Sequence, residues 1–182
     1  MRHYRHTLLV RLAAIATILF NVPAARATDA KCAVDQPSQA SLNEIRELYK
    51  ELIDAENRHD IDAVRRFVWN SPNALFVAKT ATAAEGNWAG FWGRDVVLAH
   101  LDELYKAGPF HIEPDYAKEK EVALSCEVAE TYVPVSITVA YAGQIPVPKP
   151  FLMILEWVRT AQGWRMATDI ALPIPPAPAT QP

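Results

Sequence analysis

A phenol, an imidazole and two carboxyl groups are spread along the chain at Tyr49, His100, Asp115 and Asp169. These side chains can move protons without a bound helper group, the chemistry of a cofactor-independent lyase or isomerase. That chemistry requires at least two of the four to meet in one cavity, so the elements that carry them matter as much as their types. A denser acidic group, Asp54, Glu56 and Asp60, is accounted for by helix surface and helix capping. His59, His100 and His111 lie on separate elements without the close spacing of a metal-ligand set, and no metal is expected. There is no phosphate-cradling glycine loop and no Gly-x-Ser-x-Gly turn, and nothing calls for a nucleotide or other cofactor.

A second set of residues is aromatic or apolar. Trp69, Trp88, Phe91 and Trp92, together with Tyr116, Phe151, Met153 and Trp157, are candidates to line a pocket for a small apolar or aromatic ligand. Core and lid packing is the competing use of the same side chains.

The elements that must position these groups begin after a leader. Residues 1–27 carry Arg2, Arg5 and Arg11, a short apolar run from Leu12 to Phe20 and the small-x-small site Ala25-Arg26-Ala27, the pattern of a cleaved secretory signal. Asn21 and Pro23 interrupt the run before it reaches the roughly 18 apolar residues of a membrane anchor, so no stable anchor is expected. The mature chain is expected to be periplasmic or secreted. Removing residues 1–27 takes away four arginines and no acid, so the formal charge of −3 becomes −7. An acidic protein of this kind is a poor partner for nucleic acid, which is gripped by clustered Lys and Arg. In an oxidising compartment Cys32 and Cys126 can form a bridge closing a long loop, contributing about 4 to 5 kcal/mol in the chain-entropy model. A buried free Cys126 with an unpaired Cys32 is the alternative.

A chain of 182 residues suits one domain. Residues 28–39 form a linker, residues 40–172 the domain, and residues 173–182 a proline-rich tail expected to be disordered. From Ser41, read as an N-cap, Leu42, Ile45, Leu48, Tyr49, Leu52 and Ala55 recur at helical spacing. That helix ends near His59. Asp60 caps a second, short helix, Asn70 to Asn73 make a turn, and Ala74 to Ala78 read as a strand. Lys79 to Gly93 is read as a loop with aromatic anchors, and a third helix runs from Gly93 to Gly108. Strands are predicted at 110–117, 121–128, 131–142, 151–159 and 164–172, the last two joined by the turn Thr160-Ala161-Gln162-Gly163. Helices first and antiparallel strands afterwards make an α+β domain. Strict alternation from Trp164 turns Met166, Thr168, Ile170 and Leu172 inward, which makes Thr168 a pocket candidate and turns Asp169 outward, toward Arg165.

The corner Asn57-Arg58-His59-Asp60-Ile61-Asp62-Ala63-Val64, the strand Ala74-Leu75-Phe76-Val77, the segment Gly93-Arg94-Asp95-Val96-Val97 and the final Gly163-Trp164-Arg165-Met166-Ala167-Thr168-Asp169 resemble the nuclear-transport-factor-2-like superfamily, particularly its SnoaL-like and ketosteroid-isomerase-like branch. The resemblance implies a cone-shaped barrel of N-terminal helices on a curved, mainly antiparallel sheet, with a pocket between them. It also implies a homodimer through the outer sheet face. The isomerase pattern, a general base Asp with a Tyr and a protonated Asp as donors, places Ala78 at the base and Leu155 at the protonated Asp. Tyr49 lies about one turn before the donor tyrosine. In SnoaL-like members a histidine follows an Asp on the last strand, and here the pair is Asp169 and Ile170. The resemblance therefore favours an exported small-molecule-binding protein without catalysis, with the lyase or isomerase, or an interaction module, as alternatives.

Overall fold

A computed structural model describes residues 37–79, 88–140 and 145–175. The leader, Cys32, most of the linker and the tail beyond residue 175 lie outside the described residues. Helix α1 (Gln39–Asn57) buries Ile45, Tyr49, Leu52 and Ala55 of the stripe predicted for it together with Ile53, while Leu42 and Leu48 are partly buried. Its cap is Ser38 rather than Ser41: the Ser41 amide donates to Ser38 Oγ at 3.1 Å, so the helix starts three residues earlier than expected. Asp60 does cap α2 (Ile61–Val64), accepting from the Ala63 amide at 2.9 Å. Helix α3 (Arg94–Ala107) buries Val97, Leu98, Leu101 and Tyr105.

The strands are β1 (Leu75–Lys79), β2 (Trp88–Trp92), β3 (Phe110–Pro114), β4 (Lys120–Ala123), β5 (Val128–Val139), β6 (Lys149–Thr160) and β7 (Gly163–Pro173). They form one sheet in the order β2-β1-β7-β6-β5-β3, with β4 also on β5. All pairings are antiparallel except β1 with β7, which are parallel. Strand β2 falls inside the stretch expected to be a loop. Its Ala-Gly centre and three large aromatics hide the alternation, and pairing with β1, Leu75 to Trp92 through Lys79 to Trp88, supplies what local pattern lacks. Cys126, in the connection between β4 and β5, is disulfide-bonded.

The helices cover one face of this sheet, which presents Val133, Met153, Leu155, Trp157 and Met166 to α1 and α3 in a continuous buried core. Strands β6 and β7 meet through the expected tight turn, with Thr160 opposite Gly163. Gly163 is needed there because its φ is +95°, a region that costs a side chain strain. Farther along, the register slips: Glu156 faces Thr168, while Trp157 faces Met166. Ala167 is thus an extra residue in β7, a β-bulge. Trp164 and Met166 are buried on one side of it, and Asp169 and Ala171 on the other, so the inward positions change parity at the bulge. This overturns the outward placement of Asp169, since alternation counted from Trp164 fails once one residue is inserted.

Candidate active site

The corner after α1 is built to hold one residue inward. Asn57 donates to the Ile112 carbonyl at 2.8 Å and accepts from the Ile112 amide at 2.7 Å, clamping the helix end to the edge of β3. His59 takes a positive φ of 57°. Its amide bonds the Glu56 carbonyl, and the Asp60 amide bonds the Ala55 carbonyl, the pairing that ends a helix in a left-handed residue. The His59 ring stacks on Tyr105 at 5.1 Å and approaches the Phe110 carbonyl at 3.1 Å. Between these fixed points Glu56 is forced into the domain, where it is 2 % exposed. Its expected place on the helix surface is therefore wrong, and the signal was in the spacing: Glu56 follows Ile53 by three, Leu52 by four and Tyr49 by seven, the core stripe itself.

Asp169 enters from the opposite side, on β7, and is 1 % exposed. Across the sheet it lies between Phe76 of β1 and Leu155 of β6. Arg165, its expected partner, instead donates to the Trp164 carbonyl. Glu56 and Asp169 together line a cavity of about 240 Å³ whose walls include Phe76, Leu101, Phe110, Ile112, Phe151 and Met153. One oxygen of each carboxyl, Glu56 Oε1 and Asp169 Oδ1, is sealed away without a hydrogen-bond partner among the described residues.

Burial sets the protonation of this pair. It pushes the Asp169 carboxyl up to about 7. Burial, and then the neighbouring Asp169 charge, hold the Glu56 carboxyl well above the usual carboxylate range. A carboxyl stripped of water favours its neutral form, and two such groups in one site resist ionising together. Near neutral pH Glu56 therefore keeps its proton while Asp169 is close to half-ionised. The Tyr49 and Tyr105 phenols are raised as well, chiefly by burial and then by the two acids, so both remain protonated. Their hydroxyls are also buried without partners among the described residues.

His100 lines the same cavity, its ring stacked on Phe91 at 3.7 Å. Burial lowers its basicity, leaving it neutral. Of the four proton-transfer candidates, then, His100 and Asp169 meet in the cavity, and Tyr49 is buried close enough to feel both acids. Asp115 does not join them: it lies in a separate surface groove and pairs with Lys118 at 2.6 Å.

Among the residues expected to meet a ligand, Phe151 and Met153 line the cavity. The others sit elsewhere. Trp157 is wholly buried in the core, where its indole donates to Thr131 at 3.0 Å. Thr168 is turned to the outer face by the bulge and donates to Glu156 at 2.9 Å. Tyr116 is 42 % exposed and packs edge-on against Tyr49, and Trp92 is 60 % exposed. Trp69 and Trp88 are half-buried outside the cavity lining. The expected Trp and Tyr side chains serve core and surface packing, while Phe76, Phe110 and Phe151 wall the cavity beside smaller residues such as Ala78 and Ala171. Among the described residues no group of His, Cys, Asp and Glu is placed to hold a metal ion. No described helix is long and apolar enough to cross a membrane.

No family model matches the sequence, and no curated protein matches it significantly. Solved structures do. A protein of Caulobacter vibrioides with a cystatin-like fold superposes with a TM-score of 0.62 at 14 % identity, over 75 % of this chain and 92 % of that one. A Streptomyces avermitilis protein named as a candidate dehydratase of the nuclear-transport-factor-2-like family gives 0.60 at 16 % identity, over 75 % and 98 %. A Novosphingobium aromaticivorans protein named as a candidate aromatic ring hydroxylase gives 0.61 at 15 % identity, over 78 % and 94 %. The chain has the nuclear-transport-factor-2-like fold, an α+β architecture of helices on a curved, mostly antiparallel sheet.

Proposed function

We propose that this protein is a cofactor-independent acid–base enzyme of the isomerase or lyase type, acting on a small, mainly apolar molecule. One observation carries the reading: two carboxyl groups with no cationic partner among the described residues face a shared apolar cavity. Burying such a pair costs stability, and burial leaves its members protonated to different extents. In this reading Asp169 is the general base, and protonated Glu56 donates to the oxygen on which charge develops. Ala78 and Leu155, standing where relatives would carry their acids, do not remove the chemistry. The carboxyls come instead from α1 and from the strand next to Leu155.

Solvent-deuterium incorporation into small enolisable ketones such as phenylacetone, followed by proton NMR, tests the reading without knowledge of the natural substrate. The wild type is expected to exchange the protons next to the carbonyl faster than buffer, and Asp169→Asn to lose that excess. Exchange at the buffer rate, or unchanged in Asp169→Asn, contradicts it. A second reading, a binding protein for a small apolar or aromatic ligand, is favoured by the predominantly apolar walls and by His100 being held in a ring stack. Small neutral aromatics that raise the melting temperature without any exchange select it.

The pattern of residues 1–27 supports export to the periplasm or outside the cell, with maturation near Thr28. A secreted product that still begins at Met1 would remove that part. The outer sheet face supports a homodimer, because Tyr132, Ile154 and Ile170 stand side by side across β5, β6 and β7. A monomer in sedimentation at high concentration would count against it.

A further inference from the structure

Glu56 and Asp169 reach the cavity from α1 and β7, each almost wholly buried and each with one oxygen that has no hydrogen-bond partner among the described residues. They are close enough for Glu56 to feel the charge of Asp169. Among the described residues no Lys or Arg side chain pairs with either acid. Lys79 ends β1, where alternation with Phe76 and Ala78 turns its side chain to the opposite face of the sheet. Burial keeps His100 neutral, and the Tyr49 and Tyr105 phenols near the acids stay protonated. The remaining walls are almost wholly apolar and include the rings of Phe76, Phe110 and Phe151. Two acids thus share an aromatic-walled space with no counter-charge among the described residues.

From this juxtaposition of two unpartnered carboxyls with aromatic walls, we infer that the molecule taken by the cavity is an apolar amine, bound as its ammonium. The nitrogen of a primary amine then carries three N–H donors, enough for an oxygen of each carboxyl. Its charge supplies what the pair lacks, in a space of low dielectric where the attraction is strong. Its apolar body lies against the rings, whose faces also favour a cation. Other classes fit less well. A carboxylate meets two acids without a cation, and a neutral alcohol or ketone leaves an ionised Asp169 uncompensated. A metal ion has no ligand set among the described residues. The inference rests on the proposed use of this cavity and adds the charge of the molecule. One oxygen of Asp169 can hold the ammonium while the other remains to take a proton.

The test compares 2-phenylethylamine with 2-phenylethanol, nearly the same shape without the charge, by calorimetric titration of the wild type and of Asp169→Asn. Titrations at pH 6 and pH 8, in buffers of different ionisation enthalpy, also count the protons released. At pH 8 the wild type is expected to bind the amine about tenfold more tightly than the alcohol, the scale of a charge-assisted over a neutral hydrogen bond. Asp169 holds its proton until about pH 7, so at pH 6 the ammonium must displace it. Amine affinity should therefore fall about tenfold from pH 8 to pH 6, with close to one proton released per amine at pH 6 and none per alcohol. Preference and proton release should both vanish in Asp169→Asn. Alcohol binding as tight as that of the amine at pH 8 overturns the inference, as does a preference that survives in Asp169→Asn. If the alcohol binds and the amine does not, the cavity takes neutral molecules and only the charge assignment falls. If neither binds while ketone exchange is seen, the inference fails and the proposed function stands; with neither binding nor exchange, both fail.

Discussion

Two pairs of buried acids adjoin α1 and are treated in opposite ways. Glu119 and Glu121, at the start of β4, have side chains only 2 % and 3 % exposed. Arg46 reaches across from the helix, its Nε donating to Glu121 at 3.0 Å and a second nitrogen reaching the other Glu121 oxygen, with Glu119 at 3.9 Å. Glu56 and Asp169 are buried as deeply and have no such cation among the described residues. Both arrangements cost desolvation, but the first recovers part of it through a forked, charge-assisted contact that ties β4 to α1. The second leaves Glu56 Oε1 and Asp169 Oδ1 without a hydrogen-bond partner among the described residues. A structural acid pair is given its counter-charge, whereas a pair left without one and opened to a cavity is stabilised only by protons or by what binds there.

This contrast can be broken most forcefully at Arg46. Arg46→Leu should destabilise the fold by about 3 kcal/mol at pH 8, because it strands two buried carboxylates, with the half-exposure of the arginine holding the loss to the low end of such effects. The deficit should shrink as the pH falls toward 5, since Glu119, pushed up to about 7 by burial and then by Glu121, takes up a proton readily. Denaturant titrations at the two pH values measure it.

Asp169→Asn should act in the other direction. The folded Asp169 holds its proton until about pH 7, while the unfolded chain releases it near its ordinary value. Its contribution to stability is therefore complete below about pH 4, is lost as the pH rises to 7 and is flat above that. Asparagine removes this loss, so the variant should be about 2 to 3 kcal/mol more stable than wild type at pH 8 and nearly equal at pH 4. Greater stability coupled to lost activity would mark a functional group, as in other stability and activity trade-offs. The smallest effect is expected at Asn57→Ala. It removes the two bonds to Ile112 and should cost about 1 to 2 kcal/mol by denaturant titration, loosening the corner that turns Glu56 inward.

The sequence made the framework readable where a pattern is local and periodic. The three helices, the Asp60 cap and the last hairpin follow from spacing and turn residues, and their order led to the α+β cone. Strand β2 escaped because its identity depends on pairing with β1 rather than on its own alternation. The site was legible in half. Glu56 stood in register with Tyr49, Leu52 and Ile53, and only the habit of assigning a helical glutamate to the surface concealed it. Asp169 could not be placed by counting, because the bulge at Ala167 leaves no mark stronger than one small residue, and one inserted residue exchanges the two faces of a strand. The aromatic set misled for a related reason: Trp157 and Trp92 show how the same residue type serves the deepest core and the open surface.

The central claim is that Asp169 is an uncompensated acid in the cavity, poised to accept a proton near neutral pH. Carbon-13 NMR of its side-chain carboxyl across a pH titration tests this most directly. The expected midpoint is near 7 and stays there in Glu56→Gln, because burial of Asp169 rather than a charge on Glu56 raises it. A midpoint near 4 would mean that Asp169 is solvated or paired, and would contradict the claim.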